Sequence, residues 1–190
     1  MDVRELHDRA LDFFGELVAG VPEHAWKNPT PCDDWNVRAL VNHNVSENWW
    51  ACELLAGRSI EDVGDRFEGD LLGDEPREAY EASAEAVRRA VAPLEDLDSS
   101  VDVSYGPIPA REFLEHRYVD LVVHGWDLAV ATDQDPEIPS ELAESAFETM
   151  SAQREQVRES AGFGPEVEVP EDADTQTKLL GLLGRDPARW

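Results

Sequence analysis

Apolar residues recur at helical spacing along most of the chain. From Val3 to Val18 the positions Leu6, Ala10, Phe13, Phe14, Leu17 and Val18 share a face, and Gly20, Val21 and Pro22 stop the run, which predicts a first helix. A loop holding Asn28, Pro29, Thr30, Pro31 and Cys32 follows. Asp34, Trp35 and Asn36 then offer N-cap residues for a second helix, predicted from Val37 to Leu55 and ending before Gly57. Ser59 to Asp74 is rich in Gly and Asp with weak periodicity, and reads as a long loop with room for one short helical turn. Pro76 opens a third helix carrying Tyr80, Ala84, Val87 and Val91 on one face, and Pro93 ends it. Val101 to Tyr105 alternates like a short strand before the Gly106 to Pro109 turn.

The fourth helix, Ala110 to Ala131, is apolar over most of its circumference and belongs in the interior. A fifth, weaker pattern runs from Ser140 to Glu159, and the tail from Gly162 to Trp190 carries a short helix at Thr177 to Leu183. Helices dominate, so the predicted class is all-α: an up-and-down four-helix bundle with a short strand or loop insertion and a short C-terminal extension. A chain of 190 residues suits one domain, with a core over 1–160 and a tail over 161–190.

Charge narrows the function. A net charge of −26, from 42 acidic against 16 basic residues, repels phosphate backbones and anionic lipid surfaces and excludes nucleic acid and membrane as partners. The acids are scattered, which favours a solvated surface, such as one adapted to high salt, over an interaction tail. There is no long uncharged apolar run, and the charged start from Met1 to Glu5 is no signal peptide, so a cytoplasmic location is expected. Cys32 and Cys52 fit no metal or disulfide spacing and read as free thiols.

At roughly 100° per residue, Phe113, His116, Arg117, Asp120, His124 and Asp127 form one stripe on the fourth helix. Five of these six are polar, so the stripe faces either water or a pocket inside the bundle. Asp120 pairs at i,i+4 with both His116 and His124, and imidazole with carboxylate is the ligand set of a catalytic divalent metal. The two histidines stand about 12 Å apart along the axis, too far to share one ion, so a third ligand must come from another helix. His43 on the second helix is the donor available, although a lone His in its place among Leu40, Trp50 and Leu54 is more often a core histidine satisfied by neighbours than a ligand. Glu47, one turn on, is a further ligand, an orienting group, a general base, or simply a solvated acid. His7 and His24 read as surface residues, and Cys32 lacks a local His partner that would mark it as a nucleophile.

The run Thr30 to His43, with Gly64-Asp65-Arg66-Phe67, Asp120 to Ala129 and Leu183-Gly184-Arg185-Asp186-Pro187, resembles the DinB/YfiT-like helical metalloproteins. Within them it is most similar to the actinobacterial branch related to the N-terminal domain of mycothiol-dependent maleylpyruvate isomerase. The resemblance implies a four-helix bundle holding Zn²⁺, Ni²⁺ or another divalent metal through His43, Asp120 and His124, with Asp where the isomerase uses Glu. It also implies mycothiol or another small thiol as co-substrate and an electrophilic small molecule as partner, in a monomer or homodimer. The expected activity is metal-dependent S-transfer or isomerisation. The competing expectation is a non-enzymatic metal-binding bundle with a structural or interaction role.

Overall fold

The computed structural model describes residues 1–33, 35–159 and 163–190. Four long helices make the bundle: α1 (Val3–Gly20), α2 (Val37–Leu55), α4 (Pro76–Val91) and α5 (Ala110–Ala131). Helix α1 packs chiefly on α5 and α2 chiefly on α4. Between them lie a 3₁₀ turn (Glu23–Lys27), the single-turn helix α3 (Ile60–Val63) and two short strands, β1 (Ser100–Val101) and β2 (Ile108–Pro109). Helices α6 (Ser140–Ala152), α7 (Arg154–Glu159) and α8 (Thr175–Leu182) follow. No described helix is long and apolar enough to cross a membrane.

Helix α5 is the interior element foreseen from its composition, with Leu114, Val119, Leu121, Val122, Leu128 and Ala129 fully buried. The Tyr118 hydroxyl of α5 donates to the Ser145 carbonyl at 3.0 Å, and the Tyr80 hydroxyl of α4 donates to the Leu11 carbonyl at 2.9 Å. Buried hydroxyls placed this way fix the rotation of neighbouring helices.

Two local devices aim α2. The Asn36 side chain caps it, accepting from the Ala39 amide at 2.9 Å, while Asp34, the other cap residue suggested by the sequence, lies outside the described residues. An isolated antiparallel bridge between Pro29 and Asn36 closes the preceding loop over the start of the helix. The long 59–74 loop contains the expected helical turn as α3. It lies along α2, where Asn42 donates to the Gly69 carbonyl and accepts from the Leu71 amide, at 2.9 and 2.7 Å.

Three boundaries differ from the sequence expectation. The strand predicted from Val101 to Tyr105 is confined to Ser100–Val101, paired antiparallel with Ile108–Pro109. Residues from Val103 to Gly106 form a turn instead, closed by the Gly106 amide on the Val103 carbonyl, and Pro107 and Pro109 have no N–H with which to extend a ladder. The single fifth helix is broken at Gln153 into α6 and α7. Past Met150 the run Ser151-Ala152-Gln153-Arg154 has no apolar face to bury, and Arg154 and Arg158 turn to Glu166 of the tail. The tail helix starts at Thr175, two residues early, because the Asp174 side chain caps it by accepting from the Thr177 amide at 2.7 Å.

Candidate metal centre

Most of the polar stripe of α5 faces the bundle interior and not bulk water. Arg117, His124 and Asp127 are buried, and Asp120 keeps only 21% of its side-chain exposure. Opposite it stands His43 of α2. Its Nε2 lies 3.4 Å from Asp120 Oδ2, and His124 Nε2 lies 3.3 Å from Asp120 Oδ1. One donor atom from each of the three residues falls within 4.8 Å of the others. Ligands bound at about 2.0–2.1 Å to a tetrahedral ion stand about 3.3 Å apart, and the two histidines approach opposite oxygens of the Asp120 carboxylate at about that spacing.

A second layer holds these groups. His124 Nδ1 donates to Asp127 Oδ2 at 3.0 Å, leaving Nε2 to face Asp120 and His43. Asp127, with no exposed surface, is gripped by Arg185 from the C-terminal segment, with Nη2 at 2.7 Å from one carboxylate oxygen and Nε at 3.2 Å from the other. On the other side Arg117 Nη1 donates to Asp120 Oδ2 at 3.0 Å and to Glu47 Oε2 at 3.3 Å. The Trp35 indole packs over both histidine rings, with centroids 4.7 Å from His43 and 5.7 Å from His124.

The electrostatics follow from this packing. Burial opposes charge on His124, but Asp120 and Asp127 outweigh it and lift the imidazole to about 9. Burial likewise opposes ionisation of Asp120, yet the His124 and His43 rings hold its carboxyl well below the usual range. Asp127 shows the same contest, won by His124 and Arg185. Where no ion binds, the centre therefore holds a proton among the same groups.

Not every residue singled out in the sequence joins the centre. His116 faces away from Asp120, accepting from the Tyr105 hydroxyl at Nδ1 (2.9 Å) and meeting Gln153 Oε1 at Nε2 (3.1 Å). Glu47 is not gathered with the three donors and pairs with Arg117 instead. Cys32 and Cys52 are free thiols as expected, and burial pushes the Cys32 thiol up to about 11. His24 is exposed, but His7 is buried, against its expected surface place. It stands on the inward face of α1 with Val3, Ala10 and Phe14, one turn from each neighbour, and that register was visible in the sequence. Asp127 and Arg185 were in the matching blocks but had no role assigned. Separated by 58 positions, they could not be paired by local spacing.

Comparison with known proteins agrees with this architecture. An uncharacterized protein of Mycobacterium tuberculosis, found in two strains, is 28% identical over 194 residues, covering 97% of this chain and 98% of the relative. The crystal structure of the mycothiol-dependent maleylpyruvate isomerase superposes with a TM-score of 0.64 at 19% identity, covering 85% of this chain and 72% of that one. A mutant of that isomerase gives the same TM-score at 18% identity. The fold is thus the DinB-like helical bundle of that enzyme. With residues 7–129 matching the family model, the chain belongs to the mycothiol maleylpyruvate isomerase N-terminal domain family.

Proposed function

We propose that this protein is a divalent-metal-dependent enzyme acting with a small thiol, its ion, zinc or another such as nickel, held by His43, Asp120 and His124. The observation that carries the reading is the convergence of two imidazoles and one carboxylate from two helices, one donor atom of each within 4.8 Å of the others. Three donors leave a position for an exogenous ligand, as in catalytic zinc sites. When bound, the ion supplies a Lewis acid that lowers the pKa of a coordinated thiol. The solved relative is mycothiol-dependent by its description, so mycothiol or a thiol of the same class is the co-substrate proposed here.

The chain's own residues do the rest. Asp127 fixes the His124 ring through Nδ1, and Trp35 shields one side of both histidines from water. Glu47 shares the Arg117 guanidinium nitrogen with Asp120 and remains 37% exposed, so it is placed to take the proton released by an entering thiol. The thiolate then adds to one carbon of a carbon–carbon double bond conjugated to a carbonyl, whose π pair moves onto the carbonyl oxygen. Return of the Glu47 proton to the other carbon gives a thioether. Rotation about the resulting single bond and expulsion of the thiolate instead re-forms the double bond as the isomer and leaves the proton to go back to the thiol.

Elemental analysis of the purified protein tests the metal, and a thiol and electrophile screen tests the activity. About one ion per chain is expected, lost with turnover in His43→Ala, while an intact metal content in that variant would overturn the site. A second reading has its own support, because α2 packs mainly on α4 and α1 mainly on α5. An ion shared by His43 and Asp120 would tie the two pairs together as a structural clasp. A large drop in melting temperature on chelation without thiol affinity would favour that reading.

A further inference from the structure

His124 belongs to two donor sets. Besides the His43–Asp120–His124 set, Cys32, His124 and Asp127 also bring one donor atom each within 4.8 Å of one another. The second set is deeper, and thiolate, imidazole and carboxylate are all zinc ligands, so on ligand chemistry alone it competes for the ion. Its space contains a cation already. Arg185 Nη2 lies 2.7 Å from Asp127 Oδ2 and 3.5 Å from Cys32 Sγ, while Nε holds the other Asp127 oxygen.

We propose that Arg185 is a resident cation that closes the Cys32–His124–Asp127 set to metal and so confines the ion to the His43–Asp120–His124 set. The inference rests on the metal-site reading above. A guanidinium stays charged at any working pH and bonds both oxygens of one carboxylate, leaving a dication neither a free donor nor a favourable field. Arg185 cannot readily withdraw. Its amide donates to the Leu180 carbonyl at 2.8 Å, and its Nη1 to the Leu183 carbonyl at 3.0 Å. Gly184, at φ 78°, turns the chain against Gly164 so closely that a Cβ there would stand 2.6 Å from its backbone. The C-terminal segment, far from the centre in sequence, thereby completes it.

Cobalt titration of the full-length protein tests this, with circular dichroism as the check on folding. A thiolate-to-cobalt charge-transfer band in the near ultraviolet reports a Cys32 ligand. Wild type and Arg185→Lys are expected to bind cobalt without the band. Arg185→Met, which keeps the side chain's length without charge, is expected to show it, and Arg185→Met with Cys32→Ser to lose it. Arg185→Gln, which retains an N–H toward Asp127, decides the matter if the Met variant does not fold. A thiolate band in wild type overturns the proposal, and so do neutral variants with the wild-type spectrum and affinity. Cobalt bound only by the neutral variants, with the band, would uphold this inference while refuting the His43 site.

Discussion

His124 meets Asp127 through one ring nitrogen and Asp120 through the other, so at the proposed site a metal would compete with a proton for the same imidazole. An ion bound there would have to displace the proton that keeps this residue charged up to about 9. Affinity should therefore rise by up to about tenfold per pH unit below that value, which competition against a chromophoric chelator over a pH series would measure. Without metal, the raised value also stabilises the fold. That contribution is complete below the ordinary histidine value of 6.5 and lost as pH rises through about 9. His7 has the opposite sign: burial drives it down to about 3, and its Nε2 has no partner. Below 6.5 the unfolded chain takes a proton that the folded one refuses, so stability falls with pH until about 3. His7→Leu should remove this slope and gain about 2 kcal/mol over wild type near pH 5, read from urea midpoints. For catalysis, Glu47→Gln is expected to lower turnover about 10²-fold or more with metal content unchanged. Metal loss in that variant would reassign Glu47 as a ligand.

The same contrast explains what the sequence disclosed about the candidate site. His43, Asp120 and His124 were legible because helical spacing aligns the latter two and the matching motif marks the first. Asp127 and Arg185 were not assigned because their meeting is made by the tail folding back, which no period within a helix encodes.

At the scale of elements, the long helices were legible to within a residue or two because their apolar faces are continuous. The short strand and the α6–α7 break were not, since each depends on tertiary partners instead of periodicity. Gly125, beside His124, shows what a single contact between elements controls. A Cβ there would stand 2.3 Å from the Phe13 ring of α1, so this glycine sets how closely α1 and α5 approach. Alanine is the better helix former by about 1 kcal/mol, yet overpacking costs about 1–3 kcal/mol, so Gly125→Ala is expected to destabilise on balance. Because the displaced turn carries His124, metal affinity should fall in the same variant. Chemical denaturation and chelator competition on one preparation would show whether the two losses travel together.

The whole molecule carries a net charge of −26, and ion pairs such as Arg88 with Asp8 and Arg38 with Asp70 leave most of its acids unmatched. Self-repulsion on this scale destabilises the compact state and is screened by salt. Melting temperature should therefore climb steadily between about 0.05 and about 1 M sodium chloride, where the Debye length shrinks to about 3 Å. A flat response would mean that the paired charges already neutralise the field locally. The same field disfavours approach of an anionic electrophile, so its association rate should also increase with salt.

The indole of Trp35, tilted against the two histidines, gives the centre an optical reporter of its own. Its emission senses whether the rings beneath it carry a proton, an ion or neither, so the difference between wild type and Trp35→Phe isolates one chromophore among six tryptophans. Occupancy of the centre can thus be followed by light in unlabelled protein, on the timescale of a stopped-flow mixing experiment.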